Sequence, residues 1–589
     1  MQSFDLVLRV TVLAGAAVWA ITETLSLFGG VRRLPLAIAW VAVLAAGCGL
    51  AWRRGHFTPV RLPRIDWLVA LYCAACAAIL TLTAMAAAFS PPNSADAMAY
   101  HMPRVLYWAE QGSVGFFPTP YLNQIMLQPF AEYCMLQSYV LSGGDHFVNF
   151  VQWIAAALSM IAVSAIAREF GAPARAQAFA ALFCAAIPSG ILASSGAKND
   201  YVLALWLAAA VYFALRWRRS RGTSDAALLG CALGLALLTK ATAYLFAPWP
   251  LAAILAPPAF ESTRRFARAA ALTAACALAI NLPQYIRNWE MSGSPMGYAS
   301  AFGTAEFRWP NETLGWKQTL SNMLRNASEQ LGARSEAWNR GVYDTVIGVH
   351  RRLGIDQADP ATTWRWSAYA PPRNANHEAD APNRVHLAIL VALFGVLLFR
   401  ASRGRDRLIA LYALSLVVGF VAFCAYLKWQ PFMARLFLPL FVLSAPLASI
   451  VRPLWLQAAL CLLLLDGARR PATENWVRPV RGPRSVLSVP RDRQYFSDMV
   501  QWKEDWPAYW ATFEKLKTSN CNVVGIDSSH FQLEYPLEAL LREAKLGVLF
   551  VHTGVTNTSA RYPQPAKAPP CAVVCLHCEG GDCASGRLR

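Results

Sequence analysis

Charged residues are scarce in this chain of 589 residues: 15% are Asp, Glu, Lys or Arg, against 56% hydrophobic. A soluble domain of this size needs a charged shell, so a mean hydropathy of +0.33 excludes that class and makes the bilayer the solvent for most of the chain. Acidic residues are scarcer still, 35 against 53 Lys and Arg, leaving a formal net charge of +18. The cations are almost all Arg, set singly or in small clusters between apolar runs, which marks topology and argues against a nucleic-acid partner. The first apolar run, residues 5–29, has no basic leader and reads as a retained helix without a cleavable signal. Internal repeats and long low-complexity segments are also lacking.

What the chain does have is about thirteen apolar runs between residues 5 and 467, each near the roughly 20 residues that cross a bilayer. They include 176–193, 243–260, 436–451 and a short final run, 453–467. The expected fold is an all-α polytopic membrane bundle over residues 1–467, followed by a small C-terminal α/β domain over 468–589. Cytoplasmic loops collect Lys and Arg. An inside N-terminus internalises Arg53, Arg54, Arg61 and Arg64, then Arg216, Arg218, Arg219 and Arg221, and the later clusters at Arg264 and Arg400. The reverse orientation exposes all of them. Residues 91–146, residues 287–384 and the tail then face the extracytoplasmic side of the inner membrane. Arg469, Arg470, Arg478, Arg481 and Arg484 argue against an external tail, but long segments translocate largely regardless of charge. Two amphipathic segments, Met102 to Gln111 and Leu127 to Leu141, are expected to lie along the interface.

The outward regions carry the candidate chemistry. Asp96 lies directly after the third run, followed by Tyr100, His101 and Arg104 at helical spacing. A carboxylate there is wet yet beside the depth of a lipid phosphate, where a general base for a lipid-borne substrate must sit; a helix cap is the plain alternative. Asp200, beside Lys198 and Asn199, begins a later run on the same side and has the same two readings. Lys240, Arg287, Lys428 and Arg435 are cations at the boundary that topology does not favour, and an anionic phosphate is their obvious partner, with snorkelling to headgroups as the alternative. Before the tenth run, His377, Glu378, Asp380 and His386 offer acceptor contacts or a solvated loop. Their spacing matches no strict metal motif; metal dependence stays open, and a divalent ion is compatible with the residues. The tail cysteines Cys571, Cys575, Cys578 and Cys583 lack the paired knuckles of a zinc site, so disulfides are favoured, one of them with Cys521.

In their order, these elements resemble the GT-C superfamily of membrane glycosyltransferases, in its family 39 branch of protein O-mannosyltransferases and the transferase that adds aminoarabinose to lipid A. The resemblance rests on Asp96 in ADAMAYHMPR, Asp200 in AKNDY, Lys240 in LLTKAT, Arg287, Asn288, Gly293 and Pro295, and Arg435 in ARLFLP. It covers most of residues 66–450 and departs from the mannosyltransferases in a single Asp96 where they carry an acidic pair. It implies a polyprenyl-phosphate sugar donor, a glycan, lipid or protein acceptor, and inversion at the anomeric carbon. Asp96 and Asp200 become the catalytic pair, Lys240, Arg287 and Arg435 the phosphate ligands, and Tyr100, His101, Arg104, Glu378 and Asp380 the acceptor contacts. A lipid-linked sugar transporter or flippase is the competing class; it predicts repeats and ionisable groups deep in the bilayer, whereas these lie at its boundary. A non-catalytic assembly protein with a binding tail is the third.

Overall fold

The computed structural model describes residues 2–53, 66–256, 263–498, 506–528 and 531–576. Among these, nine helices are long and apolar enough to cross a membrane, making this a multi-pass membrane protein. Three shorter apolar helices accompany them, Ala174–Ala185, Thr223–Thr239 and Ala243–Leu255. The difference from thirteen expected runs has local causes. Pro188 and Pro248 break the runs 176–193 and 243–260, because proline offers no N–H and clashes with the preceding turn. The run 226–242 is a helix of only 17 residues, Thr223–Thr239, whereas the run 436–451 keeps its span, Met433–Ile450, although it alternates between 3-10 and α turns around Pro439 and Pro446. The last run is part of a 20-residue helix, Leu454–Thr473, whose final turns carry Asp466, Arg469 and Arg470.

At the centre stands Asp200–Ser220, buried along nearly its whole length and packed on Phe150–Glu169, Thr223–Thr239 and Leu438–Ser444. In lipid, close approach of backbones replaces hydrophobic association as the packing force. Gly230 and Gly234 show it: a Cβ on Gly230 would stand 2.6 Å from the Thr273 carbonyl, and one on Gly234 would stand 3.0 Å from Ala277 Cα. The Asn281 amide then donates across the same seam to the Gly234 carbonyl at 2.9 Å.

Opposite ends of the bundle differ in chemistry. One end holds Asp5, Arg9, Arg216 and Asp225 in an ion network. The other gathers residues 90–146, 287–384 and the described residues after Thr473. There the C-terminal portion forms a parallel sheet of three strands, β1 Val523–Ser528, β2 Leu549–Thr553 and β3 Ala572–Leu576, in the order β2-β1-β3. Cys521 and Cys571 join by a disulfide just before β1 and β3; Cys578 and Cys583 lie outside the described residues, as do Arg54, Arg61 and Arg64.

The two amphipathic segments are helices, Met102–Gln111 and Phe130–Ser142, but they do not lie open along an interface. Most of their residues are buried, Phe130–Ser142 against Met102–Gln111, Gln2–Ser26 and Arg33–Arg53, and Met102–Gln111 also under the C-terminal portion, which covers this end. Thr119 exchanges hydrogen bonds with Ser559 at 2.9 and 3.0 Å, the His552 ring stacks on Tyr107 at 4.7 Å, and Arg542 pairs with Glu110.

Candidate active site

Four element ends converge at the covered end of the bundle. Asp96 precedes a single π turn, Ala97–His101, a distortion that often marks functional positions. Asp200 opens the central helix, Lys240 follows the last turn of Thr223–Thr239, and Arg435 sits in the 3-10 turn Met433–Phe437. Neither carboxylate caps its helix: the Asp96 side chain makes no capping bond, and Asn199, not Asp200, occupies the cap position.

The carboxylates take cations instead. Asp96 pairs with Arg435, lies 3.8 Å from Lys198 Nζ, and accepts the Tyr100 hydroxyl at 3.2 Å. Asp200 pairs with Lys240. Arg435 and Lys198 act on both carboxylates, which makes one electrostatic unit of the two. Burial works against the charge on Asp96, but Arg435 and Lys198 outweigh it and hold the carboxyl well below the usual range, so it stays ionised.

Behind this pair is a second layer. Lys198 forms an ion pair with Glu378 at 2.6 Å, and Arg478 grips the other Glu378 oxygen. The Arg478 guanidinium is fully buried and also donates to Ser195 at 3.1 Å and to Asn93 at 3.0 Å. Gly196 permits this approach, since a Cβ there would stand 2.9 Å from the guanidinium. Glu378 is likewise held well below the carboxylate range: its burial is outweighed by Lys198 and Arg478. The whole group sets four cations, Lys198, Lys240, Arg435 and Arg478, against three carboxylates, Asp96, Asp200 and Glu378. Its excess is positive. Moreover, Arg435 Nε is buried with no acceptor among the described residues.

Other residues marked in the sequence make their direct contacts elsewhere, although His101 and His377 still act on Asp96 and Glu378 through space. Arg287 forms a two-pronged pair with Glu23 at 2.8 and 2.9 Å and donates to Tyr133 at 2.9 Å. His101 and Arg104 are fully buried and both contact Glu132, at 3.0 and 3.1 Å, so as they stand they hold helices together and reach no solvent. Asp380 lies 3.6 Å from His377, whose other nitrogen lies 3.2 Å from Asp498. Lys428 pairs with Glu312 at 2.6 Å. His386 is buried against the Phe183 carbonyl at 3.0 Å. Among the described residues no group of three or more His, Cys, Asp and Glu is arranged to hold a metal ion.

Sequence reading missed Arg478, Glu132 and Glu23 as members of these networks. Arg478 lay in a run of arginines whose pattern speaks of topology, and Glu23 inside an apolar run. A lone carboxylate in an apolar helix is itself a signal, because it stays only where a partner meets it.

Residues 129–286 match the family of dolichyl-phosphate-mannose-protein mannosyltransferases, a segment that contains Asp200 and Lys240 and stops one residue before Arg287. The resemblance to the GT-C glycosyltransferases, read from the order of motifs, holds in this match. No curated protein matches the chain significantly. Among solved structures, the oligosaccharyltransferase of Archaeoglobus fulgidus tethered with an acceptor peptide is similar with a TM-score of 0.47 and 15% identity, covering 82% of this chain and 64% of its own. ArnT from Cupriavidus metallidurans bound to undecaprenyl phosphate is similar with a TM-score of 0.46 and 15% identity, covering 83% of this chain and 86% of its own. The chain thus spans somewhat under two thirds of the archaeal enzyme's length.

Proposed function

We propose that the protein transfers a sugar from a polyprenyl-phosphate donor to an acceptor on the extracytoplasmic side of the inner membrane, with inversion. The observation that carries this reading is the Asp96–Arg435 pair within a group of positive excess. The match to a dolichyl-phosphate-mannose family supports the donor class. The disulfide near the C-terminal sheet supports an oxidising, extracytoplasmic side for this end.

In this reading the donor phosphate enters between Lys240 and Arg435, and Arg435 Nε supplies a free donor for it. A phosphate that takes Arg435 weakens the grip on Asp96, so its basicity rises as the donor arrives. Asp96 then removes the proton from an acceptor hydroxyl or amine. The acceptor atom bonds to the anomeric carbon as the bond from that carbon to the phosphate oxygen breaks, and the lipid phosphate leaves with the electron pair. Lys240 and Arg435 stabilise the charge that develops on the leaving group, and Asp200 orients Lys240. Arg287, fixed by Glu23, holds the first helix to Thr263–Ser292 and leaves the phosphate to the other cations.

Asp96→Asn tests the assignment in a reconstituted transfer assay. Donor binding is expected to persist while transfer falls about a hundredfold or more, the usual scale of a lost base. Full transfer by that variant would remove Asp96 as base.

A further inference from the structure

Five aromatic rings run in unbroken succession from the catalytic carboxylate to the surface. Tyr100, which donates to Asp96, lies 6.2 Å from Tyr121 between ring centres. Tyr121 lies 5.6 Å from Phe302, Phe302 lies 5.6 Å from Phe307, and Phe307 lies 4.9 Å from Trp366. Tyr100, beside Asp96, is partly buried, Tyr121 is 8% exposed, and the outermost ring, Trp366, is 81% exposed. Exposure is thus lowest at Tyr121, intermediate at Tyr100, Phe302 and Phe307, and highest at the outer end.

Core packing does not account for its outer end. An indole left 81% exposed contributes little burial, and Phe307 and Trp366 both adopt left-handed backbone, at φ 55° and 63°. That conformation costs a bulky side chain on the order of 1 kcal/mol or more and persists where its placement is used. Arg365 stands over both rings, 5.7 Å from Phe307 and 5.2 Å from Trp366, and pairs with Glu306. Ring faces flanked by a fork of N–H donors and a carboxylate form a surface with two kinds of contact: apolar faces and lateral hydrogen bonds.

We propose that this track binds a saccharide acceptor and leads its reactive hydroxyl to Asp96. Pyranose rings match both features. Their axial C–H groups meet the negative face of an aromatic ring, and their equatorial hydroxyls reach sideways to groups such as Arg365 and Glu306. The proposal rests on the transferase reading and narrows it, since it makes the acceptor a glycan, free or as the head of a glycolipid, and not an unmodified peptide.

Two arms of one experiment separate this proposal from the transferase reading. In the first, full-length protein in nanodiscs is titrated with cellotetraose and with the total oligosaccharide fraction of the cell envelope, and binding is followed without any donor. Wild type is expected to bind at least one probe, and Trp366→Ala and Phe307→Ala to weaken binding about tenfold, with Trp366→Phe close to wild type. Binding of neither probe, or equal binding by all variants, overturns the proposal whether or not the protein is a transferase. In the second, transfer from a polyprenyl-phosphate sugar is measured against acceptor concentration. Trp366→Ala is expected to raise the acceptor KM about tenfold with donor KM and kcat unchanged. An unchanged acceptor KM overturns the proposal, as does a loss of brominated-lipid quenching on going from wild type to Trp366→Phe, which would make the ring a membrane anchor. Absence of any transfer by wild type, with saccharide binding intact, overturns the transferase reading and leaves the binding track standing.

Discussion

Glu378 shows how this site carries charge out of water. A buried carboxylate is costly alone, and here each oxygen meets a cation, Lys198 at 2.6 Å on one and Arg478 on the other. Removing that charge leaves two cations facing a neutral amide. Glu378→Gln is therefore expected to destabilise the protein by about 3 kcal/mol, seen as a clear fall in thermal unfolding temperature in nanodiscs. Glu312→Gln is the contrast: the Glu312 side chain is nearly half exposed where it meets Lys428, and about 1 kcal/mol or less is expected. Equal shifts for both variants would refute the ranking. The chain announces Asp96, Asp200, Lys240 and Arg435 because each sits at the edge of an apolar run, where a charge must have a reason. It conceals Arg478, because a basic cluster after a span already has a topological explanation.

Among elements, the segment from Asn475 to Asp498 acts as a strap across the Asp96 loop. Asn93 donates to the Gln494 carbonyl at 3.0 Å and to Ser497 at 2.8 Å, and the Ala95 amide donates to Asp498 at 2.8 Å. The other Asp498 oxygen meets His377, which Asp380 also faces, and Arg373 approaches Asp380 from outside at 3.8 Å. Burial alone favours the neutral imidazole, but the carboxylates of Asp380 and Asp498 outweigh it and raise His377 to about 9. A folded value above the unfolded one of about 6.5 stabilises the protonated, folded form. That stabilisation is fully present below about pH 6.5 and is lost as pH rises through about 9. The unfolding temperature of wild type is expected to fall across this window, as pH rises, relative to His377→Gln; parallel curves would show that the latch does not form. None of this strap was legible beforehand. Its bonds join residues some 400 positions apart, beyond the reach of periodicity, and the same long-range cover explains why Met102–Gln111 is buried and not interfacial.

For the whole molecule, the alternation of apolar runs and arginine clusters made the membrane bundle readable, since the bilayer leaves few other ways to satisfy a backbone. The number of full spans was less readable, because Pro188 and Pro248 interrupt helices without interrupting hydrophobicity. The C-terminal sheet closes over the site end and is stapled by Cys521–Cys571, 50 residues apart in sequence. Cross-linking a loop of that length stabilises by about 4 kcal/mol. Reduction is thus expected to loosen the tail selectively, raising protease cleavage after residue 506 while the helical bundle stays intact; unaltered cleavage would contradict a stapled cover.

The most direct measurement is a density map of the full-length protein with a polyprenyl phosphate bound. The phosphate is expected within hydrogen-bonding reach of Arg435 and Lys240, with Asp96 released from its resting ion pair and turned toward the sugar position. A phosphate seated instead beside Arg287 and Glu23, with the Asp96–Arg435 pair still closed, would contradict the account.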